Sequence, residues 1–346
     1  MFVSILLLWG IGILSAQERD PSFPFHFVKT VTMIPDSSYE NGAFCRLNYF
    51  PSKNKFYLTF GTGNYSGVPT QRPVGFVYKE YTADLRETGK SAFFHYNKGN
   101  AAGDAASVFG EGYYYFLTGG PRGFLVKKFD QDWNLLAQTD LVLDPRTERD
   151  NDQMLAYVNG QLDASSLFAL SQDKRPSPEK GEATHHRLLD TNLNLMKRRV
   201  LQDTPHVNGS SMVFQNGIHH LVTSTAFFGD LIVIQYDKNW GYLGTKTLTE
   251  GGQWPQGTVY HDGVFYVSYL ERGGASVILA AFDEDWNPVG QVWVTDLEPG
   301  YEAGRPSVIF HNGLLYVSYD VSTLDPETRE TNRDWSCVVS IYRPEN

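Results

Sequence analysis

The sequence predicts an all-β protein, and three observations point to it: many aromatic residues and glycines, two recurring turn motifs, and short strand-like runs between them. Of 346 residues, 14% are aromatic, with 20 Tyr and 22 Phe, and 32 are Gly. Aromatic and β-branched residues favour strands, and glycines favour the tight turns that join them. The composition therefore indicates many short strands with short connections.

The first recurring motif places an aromatic residue just before a turn that ends in Gly. Most copies carry Asn-Gly or Asp-Gly, which supply the positive φ angles of a type I′ turn. Each copy predicts a hairpin between the first and second strands of a unit. The copies lie at residues 109–112, 157–160, 214–217, 260–263 and 310–313.

The second motif has the form Asp-x-Asp-Trp-Asn and follows later in each unit. Its Asp and Asn side chains are suited to capping a turn between the third and fourth strands, with the Trp or Leu packed between units. The start of the motif resembles a calcium loop, but the Gly and the distant Glu of such a loop are missing, so no metal site is predicted. Copies lie at residues 129–134, 189–194, 236–241 and 282–287, with a weaker one at 81–85.

Both motifs recur about every 50 residues, which corresponds to four strands per unit. Six units fit, and the sixth supplies only three strands before the chain ends. A strand at about 26–34 resembles the missing fourth strand, and adding it would close a ring. The predicted fold is a β-propeller of six four-stranded blades in one domain, residues 17–346. Five or seven blades remain alternatives, because the first unit lacks an Asn-Gly turn and the third is irregular around Asp163.

The N-terminal end carries an apolar run at residues 2–16 that ends in small residues. We expect residues 1–16 to be a signal peptide cut after Ala16, which gives a secreted or periplasmic protein with no membrane contact after cleavage; an uncleaved anchor is the alternative. Cys45 and Cys337 fall in the first and last units, where they form either a disulfide across the seam or two buried thiols.

The net charge of −10 argues against a nucleic acid partner, which requires a basic surface. No cofactor is predicted, and we expect a monomer.

Function is predicted on the face opposite the two motifs, where the first strand of every unit begins near the axis. The residues at these openings are more polar than the strands that follow, and they could bind a carbohydrate or another small polar ligand, with aromatic rings as stacking surfaces. The alternative is that they satisfy one another around a water-filled channel. The predicted ligand-binding residues are Arg46, His206, Asn208, Trp254, Gln256, Tyr301 and Arg305.

If the site is catalytic, the expected chemistry is glycoside hydrolysis, because paired carboxylates can divide the roles of acid and base or nucleophile. The candidate catalytic residues are Asp104, Asp152 and Glu302. A protein-interaction platform without chemistry is the alternative function. Its contact points would be the aromatic loop with Phe227 and Phe228 and two long connections, residues 171–183 and 321–335.

The segment Cys45-Arg46-Leu47-Asn48 resembles the Phe-Arg-Ile-Pro motif of sialidases, which are six-bladed secreted propellers. The resemblance implies that Arg46 and Arg305 correspond to two members of the arginine triad that binds the substrate carboxylate. Arg122 and Arg272 are loop candidates for the third. Sialidases carry Ser-x-Asp-x-Gly-x-Thr-Trp boxes where this chain has Asp-x-Asp-Trp-Asn. The resemblance therefore implies a sialidase-like architecture rather than sialidase activity.

Overall fold

The protein is an all-β propeller of four-stranded blades. The computed structural model describes residues 25–34, 43–62, 75–95, 106–120, 123–142, 154–161, 164–172, 184–201, 210–225, 229–271, 276–295, 301–323 and 336–344. Within these ranges, 24 strands form six four-stranded sheets in which neighbouring strands run antiparallel.

The first three sheets follow one another along the chain. Blade 1 consists of β2 (Ala43–Phe50), β3 (Lys55–Thr62), β4 (Gly75–Thr82) and β5 (Glu87–His95), with a 3-10 turn at Pro51–Lys53 between its first two strands. Blade 2 consists of β6 (Ala106–Gly110), β7 (Tyr113–Gly120), β8 (Gly123–Phe129) and β9 (Leu135–Val142). Blade 3 consists of β10 (Met154–Gln161), β11 (Ala164–Gln172), β12 (Thr184–Asp190) and β13 (Leu195–Leu201).

The remaining sheets complete the ring. Blade 4 consists of β14 (Ser210–Gln215), β15 (Ile218–Ser224), β16 (Leu231–Asp237) and β17 (Tyr242–Thr249). Blade 5 consists of β18 (Gln253–His261), β19 (Val264–Leu270), β20 (Val277–Phe282) and β21 (Pro288–Trp293). Blade 6 consists of β22 (Tyr301–His311), β23 (Leu314–Thr323), β24 (Ser336–Pro344) and the N-terminal strand β1 (Phe25–Ile34).

The ring is closed at blade 6, as predicted. β1 pairs with β24 over its whole length, from Phe25 opposite Pro344 to Ile34 opposite Cys337. The first strands of neighbouring blades contact one another around the axis, and β22 contacts β2 where the ends of the chain meet. The predicted signal peptide, residues 1–16, lies outside the described residues.

The hydrophobic core lies between the blades. In the described part of the chain, each of the six clusters of buried apolar side chains draws residues from two neighbouring blades. Sheets stacked face to face bury their apolar sides in this way while the fourth strands remain at the outer rim. The cluster between blades 6 and 1, for example, joins Tyr316 and Val339 to Leu47 and Phe56.

Four of the five predicted hairpins are confirmed by backbone geometry. Glu111-Gly112, Asn216-Gly217, Asp262-Gly263 and Asn312-Gly313 have positive φ at both residues, as a type I′ turn requires.

The fifth predicted hairpin, at Asn159-Gly160, is wrong in position. β10 continues through both residues to Gln161, which pairs with Ala164, and the register shifts after Val158. A bulge therefore takes up the Asn-Gly pair inside the strand.

The Asp-x-Asp-Trp-Asn motif forms the predicted turn between the third and fourth strands. In blade 5, Oδ1 of Asp283 accepts hydrogen bonds from the backbone N–H groups of Asp285 and Asn287 at 3.0 and 2.7 Å, and Oδ2 accepts one from the Asn287 side chain at 2.9 Å. These bonds lower the pKa of Asp283. Trp286 takes the left-handed conformation with φ 61° and is 1% exposed, because the turn directs its ring into the core between blades 4 and 5.

Two adjacent histidines of β15 are buried with Trp side chains. His219 stacks on Trp240 with ring centroids 3.9 Å apart, and Nδ1 of His220 accepts a hydrogen bond of 3.0 Å from the indole N–H of Trp286. Because an indole N–H can only donate, Nδ1 of His220 is unprotonated in the folded state. Burial lowers the pKa of His219 to about 3 and that of His220 to about 4.

No helix in the described ranges has the length and hydrophobicity needed to cross a membrane.

We predict that Asp283→Ala lowers the midpoint of thermal unfolding by a few degrees, because the turn loses three hydrogen bonds to the carboxylate. Asp283→Asn is the matched control, since its amide oxygen can still accept backbone hydrogen bonds, and it should lose less. Differential scanning calorimetry at neutral pH measures both. Equal losses in the two variants would contradict this account of the turn.

We also predict that stability decreases as the pH falls below about 6.5. The pKa of His220 is lower in the folded than in the unfolded chain. Between about pH 6.5 and pH 4 the unfolded chain therefore binds more protons than the folded chain, and the free energy of unfolding decreases as the pH falls. His220→Gln should flatten this part of the pH dependence of the unfolding free energy. His26→Gln, at a partly exposed position of β1, is the control. Urea unfolding at several pH values tests it, and an unchanged slope in His220→Gln would refute it.

Candidate functional site

The openings of three neighbouring inner strands are distorted at the same level of the ring. The register shifts between Ala43 and Arg46 in β2, between Gln253 and Gly257 in β18, and between Gly304 and Ser307 in β22. Bulges of this kind redirect side chains and are common beside functional sites. We refer to this region of blades 5, 6 and 1 as the funnel.

Two funnel residues also have strained backbones. Trp254 has φ 49° and Arg305 has φ 45°, a region that side chains other than Gly rarely adopt. A conformation of this kind costs about 1 to 3 kcal/mol and tends to occur at functional positions. The two inner strands approach so closely that a Cβ on Gly257 would lie 2.2 Å from the backbone nitrogen of Val308. This packing fixes the two distorted openings relative to each other.

Arg46 connects blade 1 to blade 5. It is 7% exposed, and its guanidinium donates to the backbone oxygen of Gln256 at 3.2 Å and to the side-chain oxygen of the same residue at 3.3 Å. The two predicted ligand-binding residues are therefore brought together. Their contact leaves the guanidinium largely inside the protein.

Arg305 connects three elements of blades 5 and 6. Its guanidinium carbon lies 5.6 Å from the centre of the Trp254 ring, and Nη1 lies 3.4 Å from Oδ2 of Asp320 in β23. The Arg305 side chain is 14% exposed and that of Asp320 is fully buried. A cation over the face of an indole ring is attracted by its π electrons, more strongly when water is excluded. The arrangement presents one edge of an Arg-Trp pair at the funnel surface.

Cys45 and Cys337 form a disulfide across the seam between blades 1 and 6, with Cα atoms 5.9 Å apart. Both are fully buried, and the backbone N–H of Cys45 donates to Oδ1 of Asp320 at 2.9 Å. The two sulfurs and the Asp320 carboxylate lie within 4.8 Å of one another, a grouping that could hold a metal ion. The two sulfurs are bonded to each other in the disulfide, however, and the carboxylate already forms an ion pair with Arg305. The cluster is better described as an anchor for the funnel wall.

Tyr301 and Glu302 lie at the start of β22 and are partly exposed. Tyr301, like Trp254, packs on the apolar cluster between blades 5 and 6. Both rings are therefore held by the core and remain partly open to solvent. They could form the stacking surface that the sequence predicts.

Several predicted residues lie outside the described part of the chain, and their predicted roles stay predictions. They are Asp104, Asp152, His206, Asn208, Arg122, Arg272, Phe227 and Phe228.

Sequence reasoning missed Asp320, which lies on a second strand rather than at a first-strand opening. The signal in the sequence was a single carboxylate inside the otherwise uncharged strand Leu314–Thr323.

Comparison with solved structures shows the fold. The subtype N11 neuraminidase-like protein of A/flat-faced bat/Peru/033/2010 is 9% identical, with a TM-score of 0.57 over 92% of this chain and 94% of that chain. A subtype N10 neuraminidase-like protein of A/little yellow-shouldered bat/Guatemala/060/2010 is 11% identical, with a TM-score of 0.54 over 93% and 100%. A neuraminidase-like protein from A/bat/Guatemala/164/2009 is 11% identical, with a TM-score of 0.53 over 93% and 96%.

The predicted sialidase-like architecture is therefore confirmed at the level of the fold. No protein-family model matches the chain, and a search of curated proteins gave no match.

We predict that Gln256→Ala destabilises the protein by about 1 to 3 kcal/mol, because a buried charged donor of Arg46 loses its side-chain acceptor. Gln256→Glu is the matched control, since it retains an acceptor at the same position and should lose less. Urea unfolding at neutral pH measures the difference. If the alanine variant is as stable as the parent, the contact between Arg46 and Gln256 does not secure the funnel.

Proposed function

We propose that this protein binds a polar, carbohydrate-like ligand in the funnel. The observation that carries the proposal is the strained, partly exposed pair of Arg305 and Trp254 at the bulged openings of β18 and β22. A sugar presents hydroxyl groups at its edges and C–H groups on its faces. An aromatic ring can cover a face while a guanidinium donates to oxygen atoms at the edge.

The wider setting supports the same ligand class. Tyr301 adds a second partly exposed ring, and Glu302 adds an acceptor beside it. The solved structures described as neuraminidase-like proteins support the propeller fold in which these residues are placed.

Hydrolysis is a further part of the proposal. Glycoside hydrolysis in most enzymes uses two carboxyl groups on either side of the scissile bond. Glu302 is the candidate within the described residues, and Asp104 and Asp152 are the candidates for its partner. We propose binding as the primary function and hydrolysis as an activity to be tested on the same protein.

We also propose that the protein acts outside the cytoplasm. Disulfides persist mainly in oxidising compartments, and the buried Cys45–Cys337 bond supports such a location together with the apolar N-terminal run.

The test is to screen the protein without residues 1–16 on a glycan array and then measure the affinity for the glycans it retains. Trp254→Ala and Arg305→Lys should each weaken binding about tenfold or more, because one removes the stacking surface and the other the planar donor. Tyr242→Ala is the matched control, since this exposed aromatic residue lies at the start of the outer strand β17. It should leave binding unchanged.

Chromogenic glycosides test hydrolysis in parallel. Turnover that Glu302→Gln abolishes while binding persists would support the catalytic part. Glycan binding that neither Trp254→Ala nor Arg305→Lys reduces would refute the funnel as the site. Binding of a protein partner that depends on Phe227 and Phe228 would then favour the alternative of an interaction platform.

A further inference from the structure

A continuous series of contacts runs from the Cys45–Cys337 disulfide to the surface of the funnel. The disulfide joins β2 of blade 1 to β24 of blade 6. The Cys45 N–H binds one oxygen of Asp320, the other oxygen of Asp320 pairs with Arg305, and Arg305 lies over Trp254. Five strands from three blades meet in this series.

Asp320 links the disulfide end of this series to the funnel end. Its carboxylate is fully buried, and its two oxygens have different partners: a backbone N–H at 2.9 Å and a guanidinium nitrogen at 3.4 Å. A buried carboxylate destabilises the fold strongly unless it is paired and hydrogen-bonded. Asp320 therefore strongly favours the arrangement in which Arg305 stays against it.

Arg305 needs such a restraint to act in binding. A free arginine side chain samples many rotamers and loses conformational entropy when it is fixed. A ligand that found Arg305 already held over Trp254 would not bear this cost, so its affinity would be higher. The strained backbone of both residues fits a site that is arranged before the ligand arrives.

Resting on the proposed function, we infer that Asp320 is the positioning residue of the funnel. It holds Arg305 against Trp254, and the disulfide-linked backbone of Cys45 holds Asp320. Asp320 need not touch the ligand. Its contribution to binding is the prior ordering of the Arg305-Trp254 pair.

The test uses a spectroscopic signal that is independent of any ligand. Protein labelled with 5-fluorotryptophan gives a fluorine resonance for each Trp, and Trp254→Phe identifies the one from Trp254. Asp320→Asn removes the charge that holds Arg305 but keeps a side chain of the same shape with an oxygen that can accept from Cys45. We expect the Trp254 resonance to shift or broaden, with the resonances of Trp240 and Trp286 unchanged.

Ser318→Ala is the matched control on the same strand. The Ser318 hydroxyl accepts from the N–H of Leu47 and donates to the carbonyl of Cys45. Its loss removes two hydrogen bonds to β2, while the disulfide still holds Cys45 and Asp320 still pairs with Arg305. The Trp254 resonance should stay in place. Asp320→Glu keeps the carboxylate and should restore the resonance at least in part.

Glycan affinity, measured with the glycans retained on the array, gives the second readout. We expect about a tenfold loss in Asp320→Asn and none in Ser318→Ala. An unchanged Trp254 resonance in Asp320→Asn overturns the inference whatever the protein binds. A shifted resonance in a protein whose parent retains no glycan supports the positioning role and refutes the proposed function instead.

If Asp320→Asn does not fold, the double variant Cys45→Ser and Cys337→Ser replaces it, because it releases the backbone that holds Asp320 while keeping the carboxylate. A shifted Trp254 resonance is again the expected result. A resonance identical to that of the parent would contradict the inference.

Discussion

Ten residues near the N-terminal end, Phe25–Ile34, complete a sheet whose other three strands, β22, β23 and β24, are the last three in the described ranges. Without them β24 would present an open edge and blade 6 would lack its outer strand. Because each cluster of the core lies between two blades, the loss of one blade would expose the apolar faces of both its neighbours. The pairing of β1 with β24 and the nearby Cys45–Cys337 bond therefore maintain the ring as a whole.

The two faces of the ring are built from different chemistry. On the face with the repeated motif, Asp283 and its counterparts close tight turns and direct Trp or Leu side chains into the core. At the opposite end of the inner strands several contacts between blades are polar, such as those of Arg46 with Gln256 and of the Cys45 N–H with Asp320. The regular turns hold the blades in position, so the openings of the inner strands on the other face can differ in conformation and residue type from blade to blade.

Sequence patterns predicted the features that depend on local chemistry. Asn-Gly and Asp-Gly turns, the Asp-capped turns and the exchanged N-terminal strand could be recognised because each is encoded within a few residues. The hairpin predicted at Asn159-Gly160 was wrong, because a bulge inside a strand and a hairpin turn use the same residue types. Asp320 was missed because its partners come from other strands: Arg305 lies on the neighbouring strand of blade 6, and Cys45 reaches Asp320 only in the closed ring. The bulges at Trp254 and Arg305 likewise depend on the packing of adjacent blades.

Closure by an exchanged strand also sets the order in which the molecule can be made. Blades 1 to 5 are each contiguous in the chain, so each has all four of its strands once its own residues have been synthesised. β1 precedes blades 1 to 5 in the chain, whereas its partner β24 follows them. β1 therefore cannot pair with β24 until five blades have been synthesised. Blade 6, with Asp320 and the completed funnel, forms only after that point, so a chain cut before β24 has no finished site.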